Sequence, residues 1–171
     1  LRDYTRGEGI ITLNGSLDDF TDEDNFWDNF GNKEEVGTDA HYCASAYYDY
    51  MLDEFNWVGL DGDSSELRSR VYGDERNTVN ATWNGRYSTF FSGDCDEYGP
   101  LTTMDVVGHE FAHGFTDFTS DLIYRNESGA LNESISDILG KALEKAYDPD
   151  NFTWFLGATA VLTDEDDYFR D

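Results

Sequence analysis

The stretch DVVGHEFAHGFTDF, residues 105–118, constrains the chain more than any other. On an α-helix, positions four apart differ by about 40° around the axis and roughly 6 Å along it. His109 and His113 therefore leave one face close enough to share an ion. Met104, Val107, Phe111, Phe115 and Phe118 form an apolar stripe opposite them. A helix is predicted over 102–118, buried on most of its surface. Glu110 lies about 100° round from His109, too far to join the pair but placed to hold a water on a shared ion. In an H-E-x-x-H arrangement two neutral imidazoles bind zinc and the glutamate takes a proton from the water. Two satisfied core histidines are the plainer reading, and five residues alone do not decide between them.

A catalytic zinc needs a third protein ligand. The stretch ESGALNESISDILGKALEKAY predicts a second helix from Ser128 to Tyr147, stopping before Asp148-Pro149. Its apolar stripe is Leu131, Ile135, Ile138, Leu139, Ala142, Leu143 and Ala146. Glu133 and Asp137 sit four apart on the other side, suited to one carboxylate as ligand and one orienting an imidazole from behind. A solvated acidic face is the bland alternative, but the neighbours are Ser, Asn and Ala rather than basic partners.

Upstream, GIITLNG reads as a strand. TDAHYCASAYYDYMLDEF reads as a helix over 39–55 behind a Thr38/Asp39 cap, with Ala44, Tyr48, Met51, Leu52 and Phe55 at helical spacing. LDGDSSE is a turn. TVNATWNGRYSTFF is a β-hairpin with a type I′ turn at Asn84-Gly85. Strands first and helices afterwards point to an α+β fold with an N-terminal antiparallel sheet. Three segments are expected: a mostly β part over 1–101, active-site helices over 102–147, and a mixed acidic tail over 148–171.

Charge excludes some functions. Acidic residues number 37 against 11 basic, for a formal −26, which repels nucleic acid and anionic membranes. Saline or calcium-containing surroundings would screen that repulsion; plain solubility explains it equally well. Apolar runs are far too short for a membrane span. The absence of a start methionine fits a processed or excised chain without proving either. Cys43 and Cys95 form an even pair, open to a disulfide or to two reduced, buried thiols.

Taken together, HEFAH, 19 intervening residues (114–132), and Glu133 within NESGALNESISD resemble the thermolysin family of zinc metallopeptidases. TDAHYCASAYYDY, RSRVY, VNATWNG and, weakly, YFRD extend the likeness. The resemblance implies zinc on His109, His113 and Glu133, Glu110 as general base, and Asp137 and Asn132 behind the histidines. It implies Tyr124 as donor to the oxyanion, Asn80 and Ala81 as holders of the substrate backbone, and Arg170 on the carbonyl after the scissile bond. Val106, Leu156 and Phe169 would line a pocket for a bulky apolar residue there, and His41 would be structural. The implied protein is a secreted, extracellular endopeptidase acting on peptides or proteins.

Two departures stand against the resemblance. Asp105 and Glu144 match two carboxylates of the family's double calcium site, but NFTWFLGATA (151–160), where further acids should lie, has none. That site is expected to be reduced or lost. Asp22 and Asp24 resemble a separate calcium loop, with solvated turn residues an equal reading. Family members also continue into a second helical domain bearing a further histidine and aspartate, which no residue here matches. That half is expected as a separate partner chain or removed segment, and this chain to expose an apolar face where it packed. The rival functions are a peptide-binding fragment that retains metal without turnover and a zinc hydrolase of another bond.

Overall fold

A computed structural model describes residues 1–24, 26–27, 34–72 and 78–163. Its elements are β1 (Arg2–Asp3), β2 (Ile10–Leu13), α1 (Glu34–Phe55), β3 (Leu67–Val71), β4 (Ala81–Trp83), β5 (Ser88–Phe90), α2 (Met104–Thr119) and α3 (Asn126–Tyr147). The class is α+β, as expected. The sheet, however, is mixed, ordered β1-β2-β3-β5-β4. β2 and β5 run parallel to β3, while β1–β2 and β4–β5 are antiparallel. The expected antiparallel sheet fails because α1 lies between β2 and β3, and a helical crossover returns the chain in the same direction.

Leu67, Ser69 and Val71 of β3 point inward and Arg68 and Arg70 outward, the period of two that a strand imposes. Ile10, Leu67, Val71 and Phe90 from the sheet meet Ala44, Tyr47 and Met51 of α1 and Val107 and Phe111 of α2 in one core. Tyr47 and Phe111 join the two helices, ring centroids 5.7 Å apart.

Helix α1 starts at Glu34, earlier than the Thr38/Asp39 cap predicted. The Thr38 hydroxyl donates to the Glu35 carbonyl, the bond of a residue inside a helix rather than at its cap. The hairpin is present, but Asn84 has no positive φ, which a type I′ turn requires at both central residues. Gly85 alone takes it, at φ 85°. Asn84 instead accepts the Arg86 and Tyr87 amides through its side chain, so the tight turn centres on Gly85-Arg86.

The apolar stripe predicted for α3 is mostly not its buried face. Leu131 and Ile138 are 51% and 64% exposed, whereas Asn132, Ser136, Gly140, Lys141, Leu143 and Glu144 are buried. Glycine decides this. A Cβ on Gly108 would come within 3.1 Å of the Gly140 Cα, and one on Gly140 within 2.4 Å of the Asp105 carbonyl oxygen. α2 and α3 meet through these two glycines, and polar side chains between them find partners. Leu131 and Ile138 are thus left exposed, as are Phe55 of α1 and Phe118 of α2.

Cys43 is buried, its thiol donating to the Thr102 carbonyl at 3.6 Å, and Cys95 is exposed; both are free. Among the described residues no helix is long and apolar enough to cross a membrane.

Candidate metal centre

His109 and His113 project from α2 toward Glu133 on α3, and one ligand atom from each lies within 4.8 Å of the other two. The two Nε2 atoms are 2.9 Å apart. Glu133 stands 3.5 Å from His109 Nε2 and 3.7 Å from His113 Nε2. Both imidazoles are buried, while the Glu133 side chain is partly open to a cleft.

Their other nitrogens are held from behind. His109 Nδ1 lies 2.8 Å from Asp137 Oδ1. His113 Nδ1 donates to Asn132 Oδ1 at 2.6 Å, with the Ser136 hydroxyl at 3.1 Å. Asn132 also accepts from the Thr116 hydroxyl at 3.2 Å, which fixes its amide. With protons on both Nδ1 atoms, both Nε2 lone pairs turn to the same point.

Electrostatics favours positive charge there. Burial opposes a charged His109, but the bonds to Asp137 and Glu133 and the Glu110 charge outweigh it and push the imidazole up to about 9. His113 is shifted down, first by burial and then by the His109 charge. A proton on His109 Nε2 would fill the same point at which the two lone pairs otherwise converge, 2.9 Å from His113 Nε2, so proton and metal compete for it. Two aligned imidazole nitrogens, a carboxylate and braced rings fit the three-ligand donor set of a catalytic zinc.

The cleft over this cluster has a volume of about 570 Å³. Glu110, 5% exposed, lines it beside the histidines. Tyr124 is 66% exposed; its hydroxyl donates to Glu133 and its ring meets His113 edge-on at 5.8 Å. The opposite wall is β4, at the sheet's edge, with Asn80 and Ala81 among the lining residues. Asn80 accepts the Ala81 amide through its side chain and the Phe91 amide through its carbonyl.

Other expected site residues lie elsewhere. Val106 and Leu156 are buried, 1% and 4% exposed, and do not line the cleft. Phe169 and Arg170 lie outside the described residues. His41 pairs with the Thr12 hydroxyl at 3.0 Å, away from the cleft, in keeping with a structural role. Asp24 is exposed and accepts the Phe26 amide, and neither it nor Asp22 joins a metal-ligating group among the described residues. The calcium ligation expected of Asp105 and Glu144 takes another form: both carboxylates bond the Lys141 ammonium.

Sequence reasoning passed over Asp117, Trp83 and Ser136. Asp117 is one turn beyond His113, a spacing that could have flagged it. It lines the cleft and accepts the Trp83 indole N–H at 2.6 Å, tying α2 to β4.

Residues 1–117 match the family model described as thermolysin metallopeptidase, catalytic domain, and residues 120–171 that of the thermolysin metallopeptidase alpha-helical domain. The boundary between the two matches falls at the C-terminal end of α2. Bacillolysin of Bacillus caldolyticus and thermolysin of Alicyclobacillus acidocaldarius subsp. acidocaldarius are each 41% identical over 167 residues, covering 92% of this chain. The chain spans 29% of the length of those curated relatives. Among solved structures, the precursor of protealysin, a metalloproteinase from Serratia proteamaculans, matches with a TM-score of 0.76 at 27% identity. That match covers 92% of this chain and 51% of the other.

Proposed function

The chain belongs to the thermolysin family of metallopeptidases, and from that premise we propose that it carries the metal-binding wall of a secreted, zinc-dependent endopeptidase. The observation that carries this reading is the convergence of His109, His113 and Glu133 on one point beneath an edge strand, with Glu110 beside them. Those three would hold zinc, which when bound supplies a Lewis acid for the scissile carbonyl and acidifies a water.

The chain's own residues do the rest. Glu110 takes the proton of the attacking water and delivers it to the leaving amine. Tyr124 swings its hydroxyl from Glu133 to the developing oxyanion, where a donor stabilises the transition state most. Asp137 and Asn132 keep the imidazoles in the ligating tautomer. The substrate is a peptide or protein lying extended along β4, where Asn80 and Ala81 offer main-chain and amide partners at a free sheet edge. A bulky apolar residue after the scissile bond is part of the proposal on the family resemblance alone, since Val106 and Leu156 are buried away from the cleft. So, on the same resemblance, is a helical partner segment bringing a further histidine, a part His41 does not take because it is engaged with Thr12.

A second reading, metal-retaining peptide binding without turnover, would use the same three ligands and the same edge strand. Hydrolysis of a casein-type substrate, assayed with a chelator and after zinc is returned, separates the two. Under the first reading Glu110→Gln keeps its zinc and loses roughly 10²–10⁴-fold in rate. Full activity in that variant rejects Glu110 as the base.

A further inference from the structure

Away from the cleft, three deeply buried charges meet at the root of the α2–α3 contact. Asp105 is 0%, Glu144 1% and Lys141 8% exposed. Lys141 Nζ donates to Asp105 Oδ2 at 3.0 Å, to Glu144 Oε2, and to the Phe155 carbonyl at 3.2 Å. These acceptors use all three N–H groups of an ammonium. Asp105 is satisfied on both oxygens: Oδ2 also accepts the Gly157 amide at 2.8 Å, and Oδ1 accepts the Thr103 hydroxyl at 2.7 Å and the Val106 amide at 2.9 Å.

We infer that Lys141 is a built-in cation, standing where the family resemblance leads one to expect calcium and joining α2, α3 and the segment around Phe155–Gly157 without an added ion. The inference does not rest on the peptidase reading.

Calcium does not fit these residues. It takes six to eight oxygens at about 2.3–2.6 Å. Here the carboxylates converge on a nitrogen, one carboxylate is already saturated by protein donors, and residues 151–160 contain no acid to complete a shell. A dication would also have to share a buried space with an ammonium, and expelling that ammonium would pull its stem from beside the Phe152 ring, 5.2 Å from Nζ. Charge is balanced within the protein instead. Burial raises the affinity of Glu144 for a proton, with Lys141 opposing and Asp105 adding to the shift.

The position matters. Asp105 lies one turn of α2 before His109, and Glu144 lies three turns of α3 beyond Glu133. The ammonium therefore fixes the spacing of the two helices that present the candidate ligands.

The test is thermal unfolding of the full chain with zinc held constant, in calcium-free buffer and with millimolar calcium. Wild type, Asp105→Asn and Glu144→Gln are expected to gain equally from calcium, or not at all. A gain in wild type that disappears in Asp105→Asn and Glu144→Gln would place calcium between these carboxylates and overturn the inference. Lys141→Ala, which strands two buried carboxylates, is expected to lower Tm by roughly 6–20 °C. An unchanged Tm would equally overturn it. Should Lys141→Ala fail to fold, the calcium comparison still decides, because it needs only variants that retain the lysine.

Discussion

His109 Nδ1 lies 2.8 Å from Asp137 Oδ1, and the opposite nitrogen of the same ring is 3.5 Å from Glu133. Two carboxylates one turn apart on α3 thus grip a single imidazole from both sides. Asp137 sets the tautomer, and Glu133 shares the point at which Nε2 aims. Asp137→Ala removes the acceptor and leaves the ring free to turn. Zinc affinity, read by chelator competition, is expected to fall about 10–100-fold. Asp137→Asn, which keeps an acceptor oxygen, should lose less, and equal affinities in all three proteins would deny Asp137 this role.

The grip was legible in the sequence because it is built from local periodicity. Positions 109 and 113 on one helix and 133 and 137 on another need only a spacing of four to share a face. What was not legible depends on distant partners. The parallel pairing of β2 with β3 requires knowing that α1 crosses between them. The buried face of α3 was misread because hydrophobic periodicity does not register two glycines meeting across helices. Lys141 offers only its i,i+3 spacing to Glu144, a pattern ordinarily found on solvated helix faces. Its partner Asp105 is 36 residues away, and its burial follows from that close approach.

The same approach makes Gly140 a test of packing. Alanine in mid-helix is ordinarily worth about 1 kcal/mol over glycine. Here the added Cβ would stand 2.4 Å from the Asp105 carbonyl and 3.1 Å from the His109 amide, both backbone, so the helices must part. Overpacking of that kind costs about 1–3 kcal/mol, enough to outweigh the propensity gain. Gly140→Ala should therefore lower Tm by a few degrees and weaken zinc retention, since α3 carries Glu133. A rise in Tm would mean that the two helices yield without cost.

Acid stability can be traced to a turn carboxylate. Asp61 accepts the amides of Asp63 at 2.8 Å and Ser65 at 3.1 Å. Partial burial pushes its acidity toward weaker, but those amides prevail and hold the carboxyl below its usual range. A depressed folded value contributes stability above the unfolded value of about 3.9, and that stability is lost as pH falls through the folded value. Asp61→Asn keeps an acceptor and removes the charge. Its Tm should lie below wild type at neutral pH, with the gap closing below about pH 3.9. Comparing the two proteins across pH cancels every other titrating group, and a gap constant down to strongly acidic pH would show that the charge contributes nothing.

Tyr124 carries the last prediction. Its hydroxyl donates to Glu133 at the rim of the cleft, and the residue is exposed enough to turn toward a bound substrate. If its function were to steady Glu133, Tyr124→Phe would act on metal affinity. If it donates to the oxyanion, the loss belongs to the transition state alone, on the order of 10²–10³-fold in kcat with KM little changed. Zinc affinity and steady-state kinetics measured on the same preparation distinguish these. The expected pattern is an intact zinc affinity with a depressed kcat, because Glu133 keeps its place between His109 and His113 through α3 rather than through the phenol.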